Sequence, residues 1–266
     1  MAKRSKHALL WRIIPPAGGP VSYVFGTMHV RDERAFAWLE KALIHLQSCD
    51  YFATEYDFSE TDMTSYDSVM KLPEGQTLQT LLPRGAWNRL QFQAQQKLNM
   101  PAELLNHHHP MMVSTMLTTS LLTEEREQTL DETLWQQAVS LGKNIIGVES
   151  FADQVGFVKQ IPLKTHVKGL VSYLKNPEKE KRQLKKMFRL YVKGDIQSLY
   201  KSAKKNLKGK RNVLLNPRNQ RMALRIGAVA KERSLFCAIG AAHLAGEKGV
   251  LRLLKKAGFK VKALPL

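Results

Sequence analysis

Four polar residues, His29, Glu55, Glu149 and His243, each follow directly on a short apolar run. Two imidazoles and two carboxylates make a mixed nitrogen and oxygen donor set that suits Mn²⁺, Co²⁺, Fe²⁺ or Zn²⁺. An ion held this way acidifies a water, and a carboxylate beside it can serve as the base. The two histidines close tetrads of the same form, Gly26-Thr27-Met28-His29 and Gly240-Ala241-Ala242-His243. Glycine at the head of each tetrad lets the backbone pass close to a metal or substrate. Taken singly, a histidine after a strand is more often a loop or packing residue, and Glu55 or Glu149 fits a salt bridge or a helix cap. The repetition is what argues for one shared site.

The elements that must position these residues are legible around them. Val21–Phe25 is β-branched and aromatic and reads as a strand running into the first tetrad. A helix follows, with Phe36, Leu39, Leu43 and Leu46 at spacings of three and four. Tyr51–Thr54 is a second strand that ends at Glu55, and Asn144–Val148 a third that ends at Glu149. Leu235–Ile239 is a strand running into the second tetrad. The helix after it carries Val250, Leu251 and Leu254, and Phe259–Leu264 alternates as a half-exposed strand. Strand, Gly-x-x-His, helix and strand therefore occur twice, over Tyr23–Thr54 and Phe236–Leu264. Strand–helix–strand units build parallel sheets, and ligands bind beyond the carboxyl ends of such strands. The expected fold is α/β: a single mixed, mainly parallel sheet flanked by helices, with these two pseudo-repeated units and a helical insertion.

Between the strands the chain reads as helical. Prolines 73, 83, 101 and 110 divide residues 61–128 into short pieces, with Met111–Leu122 apolar enough for a buried helix. Asp131–Leu141 places Leu134, Trp135, Ala138 and Leu141 on one side. Phe151–Arg211 is helical and basic, broken at Gly194-Asp195 with Asp195 as the next N-cap. Lys204–Arg211 reads as a charged loop. Arg218–Lys231 carries Met222, Ile226 and Val229 along one stripe. One domain over residues 1–266 is expected, with helical segments 61–141 and 151–231 packed around the sheet.

Composition narrows the classes. With 266 residues, 44% apolar and 24% charged, the chain can bury a full core without staples, which excludes disorder and coiled coil. Two cysteines, Cys49 and Cys237, exclude a disulfide framework and a cysteine-rich zinc site. Cys237 lies inside an apolar strand as a small core residue. Consecutive histidines 107–109 point in different directions on a helix or loop and do not make a specific metal site. No nucleophile elbow, P-loop or dinucleotide motif is present. The formal charge is +18, and residues 159–211 hold 17 Lys and Arg against three acids. That segment could meet an anionic partner. Stacking aromatics are sparse in it, so a solvated helical face is favoured and nucleic acid is not the expected partner. The apolar run Ala8–Trp11 is too short for a signal-peptide core, and no stretch suits a membrane span, which together lead to the expectation of a cytoplasmic protein.

The sequence also resembles the TraB/GumN family. Tyr23-Val24-Phe25-Gly26-Thr27-Met28-His29-Val30 is similar to its opening motif, and Glu55 and Asp57 stand at its acidic strand end. Asp131, Leu134, Ala138, Gly147-Val148-Glu149-Ser150 and Gln154 resemble its central segment, with Ser150 where threonine is commoner. Tyr191–Asp195, Arg218-Asn219 with Met222, and Gly240–Gly246 continued by Gly249–Val261 match in order along nearly the whole chain. The family includes the TIKI metalloproteases, which use Mn²⁺ or Co²⁺, and proteins that shut off a conjugation pheromone. Its fold is similar to the erythromycin-esterase and ChaN-like folds. Members are often exported or membrane-anchored, features this chain does not display. The resemblance implies His29 and His243 as metal ligands, Glu55 and Glu149 as ligand or base, and Arg218 and Asn219 lining the same cleft, where the arginine would hold a carboxylate or steady an oxyanion. It implies a metal-dependent hydrolase of the TIKI metallopeptidase type, acting on a peptide or small molecule. The alternative is a non-catalytic protein that binds a peptide or small ligand in the same cleft.

Overall fold

The computed structural model describes residues 7–60, 62–122, 126–206 and 215–266. The strands are β1 Leu10–Ile14, β2 Ser22–Thr27, β3 Tyr51–Thr54, β4 Asn144–Gly147, β5 Leu235–Gly240 and β6 Lys260–Leu264. The helices are α1 Leu39–Gln47, α2 Met63–Met70, α3 Leu78–Leu81, α4 Arg84–Gln93, α5 Pro110–Thr119, α6 Leu130–Ser140, α7 Phe151–Lys159, α8 Leu163–Lys175, α9 Pro177–Val192, α10 Ile196–Asn206, α11 Asn216–Glu232 and α12 Val250–Lys256.

The strands form one mixed sheet in the order β4-β3-β5-β2-β1-β6. β4, β3, β5 and β2 are mutually parallel, so their carboxyl ends share one edge. β5 sits third in this row and every one of its residues is buried, which is why it reads as an unbroken apolar run. Phe236 of β5 packs against Phe52 of β3 and Phe25 of β2, with ring centroids 6.2 and 6.1 Å apart. β1 and β6 extend the sheet antiparallel. The sequence reading places no strand before Val21. β1 escapes it because Arg12 breaks the apolar alternation, although Arg12 is only half-buried and pairs in register with Tyr23.

The chain divides into two compact units. The first comprises Met1–Glu60, Glu124–Phe151 and Met187–Leu266 and contains the whole sheet. Within it, α9 ends where Gly194 adopts φ +69° and the Asp195 N–H bonds back to the Leu190 carbonyl, a left-handed cap that favours glycine. A side chain at Gly194 would also meet the Ala8 backbone and the Trp38 ring at 2.9 Å. Asp195 then accepts from the Ser198 N–H, the N-cap role its position suggests. Lys204–Asn206, expected in a loop, belong to the end of α10, and residues 207–211 of that expected loop lie outside the described residues.

The second unit, Thr61–Thr123 and Ala152–Lys186, is helical. Its core gathers Leu78, Trp87, Leu90, Leu105, Val113, Leu117, Leu170 and Leu174, with the Tyr173 hydroxyl donating to the Leu117 carbonyl at 2.7 Å. α5 is less buried than its composition suggests. Pro110, Val113 and Leu117 are buried, while Ser114, Thr115 and Thr118 turn their hydroxyls back to carbonyls four residues earlier. Of the histidine tract, His107 is exposed, whereas His109 is buried, accepts the Met111 N–H at the start of α5 and lies edge-on to His166.

On α9 the basic residues Lys179, Arg182, Lys185, Lys186 and Arg189 are exposed, while Phe188 and Tyr191 are buried. Among the described residues no helix is long and apolar enough to cross a membrane.

Candidate active site

The parallel strands deliver their polar residues to one edge. Thr27 of β2 pairs in register with Gly240 of β5, and Thr54 of β3 with Gly147 of β4. Backbone pairing continues past the end of β4: the Val148 N–H donates to the Thr54 carbonyl and the Glu149 N–H to the Glu55 carbonyl. That continuation sets Glu55 and Glu149 side by side. Beyond β5 the chain tightens into a 3₁₀ turn, Ala241–His243, which turns His243 back over the strand end.

Glu55 is the centre of the cluster. Its Oε1 accepts the Gly240 N–H at 3.0 Å and faces two imidazole nitrogens, His29 Nε2 at 3.5 Å and His243 Nε2 at 3.6 Å. Its Oε2 accepts from Arg218 Nη2 at 2.9 Å. A Cβ on Gly240 would come within 3.1 Å of Glu55 Oε1 and 3.3 Å of His29 Nε2, so the bare glycine keeps a space open beside both atoms.

Both imidazoles are held from behind. His29 Nδ1 lies 2.9 Å from Asp131 Oδ2, and Asp131 Oδ1 accepts the Thr27 hydroxyl at 2.6 Å. His243 Nδ1 lies 2.6 Å from Asn219 Oδ1, and Asn219 Nδ2 donates to the Lys248 carbonyl, which fixes the amide so that its oxygen faces the ring. In its neutral form each ring therefore carries its proton on Nδ1 and turns the Nε2 lone pair toward Glu55, whereas protonated His29 donates from Nε2 to Glu55.

Arg218 and Asn219 open α11. The Arg218 guanidinium contacts Glu149 through Nε at 2.9 Å and Nη2 at 2.5 Å, besides reaching Glu55. Arg221, one turn on and half exposed, lies 3.5 Å from Glu149. Planar double contacts to buried carboxylates are the geometry arginine supplies best.

The electrostatics follow from this packing. Burial alone would raise the Glu55 carboxyl, but the hydrogen bond to His29 and the charges of His243, His29 and Arg218 outweigh it and hold Glu55 well below the usual carboxylate range. His243 is pushed down to about 4, chiefly by burial. The Asp131 carboxylate raises His29 well above the usual imidazole value against the opposing effect of desolvation. His29 is also the open member of the cluster, with 54% of its side chain exposed against 8% for His243.

All six residues singled out in the sequence stand at this one edge. The histidines meet at Glu55, whereas the Glu149 contacts described above run to Arg218 and Arg221. Among the described residues no group of three or more His, Cys, Asp or Glu side chains is gathered tightly enough to hold a metal ion as it stands. Asp131, Thr27 and Tyr191 complete the surroundings, and the sequence reading assigns them no part in the site. Asp131 carried a signal, because it shares the buried stripe of Leu134 and Ala138, where a carboxylate needs a partner. Tyr191 donates its hydroxyl to the Gly26 carbonyl at 2.9 Å from a fully buried position. Cys49 and Cys237 are both buried with their thiols pushed up, Cys49 to about 12, which disfavours the reactive thiolate.

A sequence profile described as the TraB/PrgY/gumN family matches residues 9–263, nearly the entire chain. The chain belongs to the TraB/PrgY/gumN family. Among curated relatives, Metalloprotease TIKI2 of Danio rerio is 25% identical over 323 aligned residues, covering 100% of this chain and 62% of that protein. Metalloprotease TIKI1 of Danio rerio is 25% identical, covering 97% of this chain and 63% of its own length. Metalloprotease TIKI2 of Xenopus tropicalis is 26% identical, covering 92% and 58%. The chain thus spans about three fifths of the curated relatives it matches. No solved structure matches it.

Proposed function

We propose that this chain is a metal-dependent hydrolase acting on peptide bonds, with His29, His243 and Glu55 as the residues that hold a divalent ion. The observation that carries this reading is the convergence of two imidazole Nε2 atoms on one oxygen of Glu55, each ring anchored through Nδ1. Imidazoles supported in this way by an acceptor behind them are the usual form of histidine ligands. Two nitrogens and a carboxylate oxygen suit a first-row divalent ion such as Mn²⁺, Co²⁺, Fe²⁺ or Zn²⁺. The open space at Gly240 and the names of the curated relatives point the same way.

A bound divalent ion would supply an acidified water and polarise a carbonyl. The protein's own side chains do the rest. Glu55, held ionised at low pH, is a better ligand than proton acceptor, since a carboxylate so stabilised has little affinity for a proton. Glu149 braces Arg218, and Arg218 fixes the rotamer of Glu55 by holding Oε2. Asn219 orients His243. Arg218 and Asn219 thus act on this reading as positioning residues rather than as groups that meet the substrate. The exposed side of His29 is where a substrate carbonyl would enter.

The test is a peptide mixture incubated with the protein and Mn²⁺ or Co²⁺ and read by mass spectrometry. Cleavage that disappears with chelator and in Glu55→Gln supports the reading. Tight peptide binding without turnover, insensitive to chelator, favours the non-catalytic alternative and overturns it.

A further inference from the structure

We infer that Asp131 is a positioning residue that sets the tautomer of His29 and, with it, the lone pair that His29 offers to the site. The carboxylate is 3% exposed and stands at the second position of α6. The first turn of that helix is closed by a capping box between Thr129 and Glu132, which leaves Asp131 free to turn inward. The positive end of the helix favours a negative charge there. Oδ1 is taken by the Thr27 hydroxyl at 2.6 Å, and Oδ2 faces His29 Nδ1 at 2.9 Å.

A carboxylate in this position can only accept. It therefore keeps the proton of neutral His29 on Nδ1 and leaves Nε2 bare, 3.5 Å from Glu55 Oε1. Thr27 and His29 are two residues apart at the end of β2, so Asp131 bonds the first through Oδ1 and stands at ion-pair distance from the second through Oδ2. Tyr191 secures that strand end from another side by donating to the Gly26 carbonyl. The second histidine reaches the same tautomer through an unlike partner, the neutral amide of Asn219. An amide at position 131 would behave differently. With its oxygen still accepting from Thr27, Asp131→Asn would turn an N–H toward His29 Nδ1, move the ring proton to Nε2 and abolish the lone pair on the side of Glu55.

The tautomer can be read without any metal, so this inference rests on the proposed metal centre only for its affinity consequence. Long-range ¹⁵N–¹H NMR of the histidines in the metal-free chain, at a pH above the His29 titration, should show His29 protonated at Nδ1 in the wild type. It should show His29 protonated at Nε2 in Asp131→Asn, with His243 unchanged. Co²⁺ titration of the same proteins should show affinity falling by about 10- to 100-fold in Asp131→Asn. Thr27→Val, which keeps the carboxylate, should retain the wild-type tautomer. An Nε2–H tautomer in the wild type overturns the inference with no variant needed. Wild-type Co²⁺ binding with tautomer and affinity both unmoved by Asp131→Asn also overturns it and leaves the metal reading standing. A tautomer that switches in a protein that binds no Co²⁺ upholds the inference and removes the metal reading instead.

Discussion

Arg218 holds Glu149 through both Nε and Nη2, and the same Nη2 reaches Glu55 Oε2 at 2.9 Å. One guanidinium thereby ties together two carboxylates that leave adjacent parallel strands. Removing it takes from two buried carboxylates the cation that lies nearest to both. Breaking a buried ion pair from one side costs about 3–5 kcal/mol, so Arg218→Ala should lose roughly that much in urea denaturation. Arg218→Lys should recover only part of it, because an ammonium cannot make the planar double contact. A loss below about 1 kcal/mol for Arg218→Ala would contradict this role.

Gly240 offers a sharper separation of stability from site geometry. Its backbone, at φ −51° and ψ 131°, is open to any residue. An added methyl, however, meets Glu55 Oε1 at 3.1 Å and His29 Nε2 at 3.3 Å. Gly240→Ala should change stability by less than about 1 kcal/mol. It should lower divalent-metal affinity by about 10- to 100-fold, the range for disturbing the surroundings of a ligand. Calorimetric titration beside thermal denaturation checks both halves; undiminished affinity goes against the geometry described here.

The helical unit has a pH dependence of its own. His109 is pushed from 6.5 down to about 4, first by burial and then by the charge of His166. The folded unit therefore binds fewer protons than the unfolded chain between about pH 4 and 6.5. Its contribution is complete above that window and declines as pH falls through it, by at most about 1.4 kcal/mol per pH unit. Protonation also removes the acceptor that caps α5 at Met111. NMR titration should place His109 near pH 4, and His109→Asn, which keeps a capping oxygen without a titrating ring, should flatten the decline. A His109 midpoint near 6.5 would contradict the burial argument.

Much of the sheet edge was legible in the sequence because β2, β3 and β5 are largely buried, and β4, half-exposed at the end of the row, is still apolar at Ile145 and Ile146. β2, β3, β4 and β5 are written as short apolar runs, and each ends in the polar residue that reaches the site. β1 was not legible, since Arg12 interrupts it and its pairing with β2 and β6 is a tertiary fact. The convergence of His29 and His243 on Glu55 follows from placing like residues at the ends of parallel neighbours. The division of labour between the glutamates does not, because it depends on where the first turn of α11 lands. That landing buries Arg218 against both carboxylates. Asp131 was half-legible: its place on the stripe with Leu134 and Ala138 shows burial, but only the fold shows that its partners are Thr27 and His29.

Whether His29, His243 and Glu55 hold one divalent ion is decided by Co²⁺ titration followed by visible absorption. The wild-type chain should take up one Co²⁺ with the ligand-field bands of nitrogen and oxygen coordination. The doubly substituted His29→Ala, His243→Ala chain, still folded by circular dichroism, should show neither uptake nor bands. A folded wild type that binds no Co²⁺, or a double variant that binds it equally well, would contradict the claim.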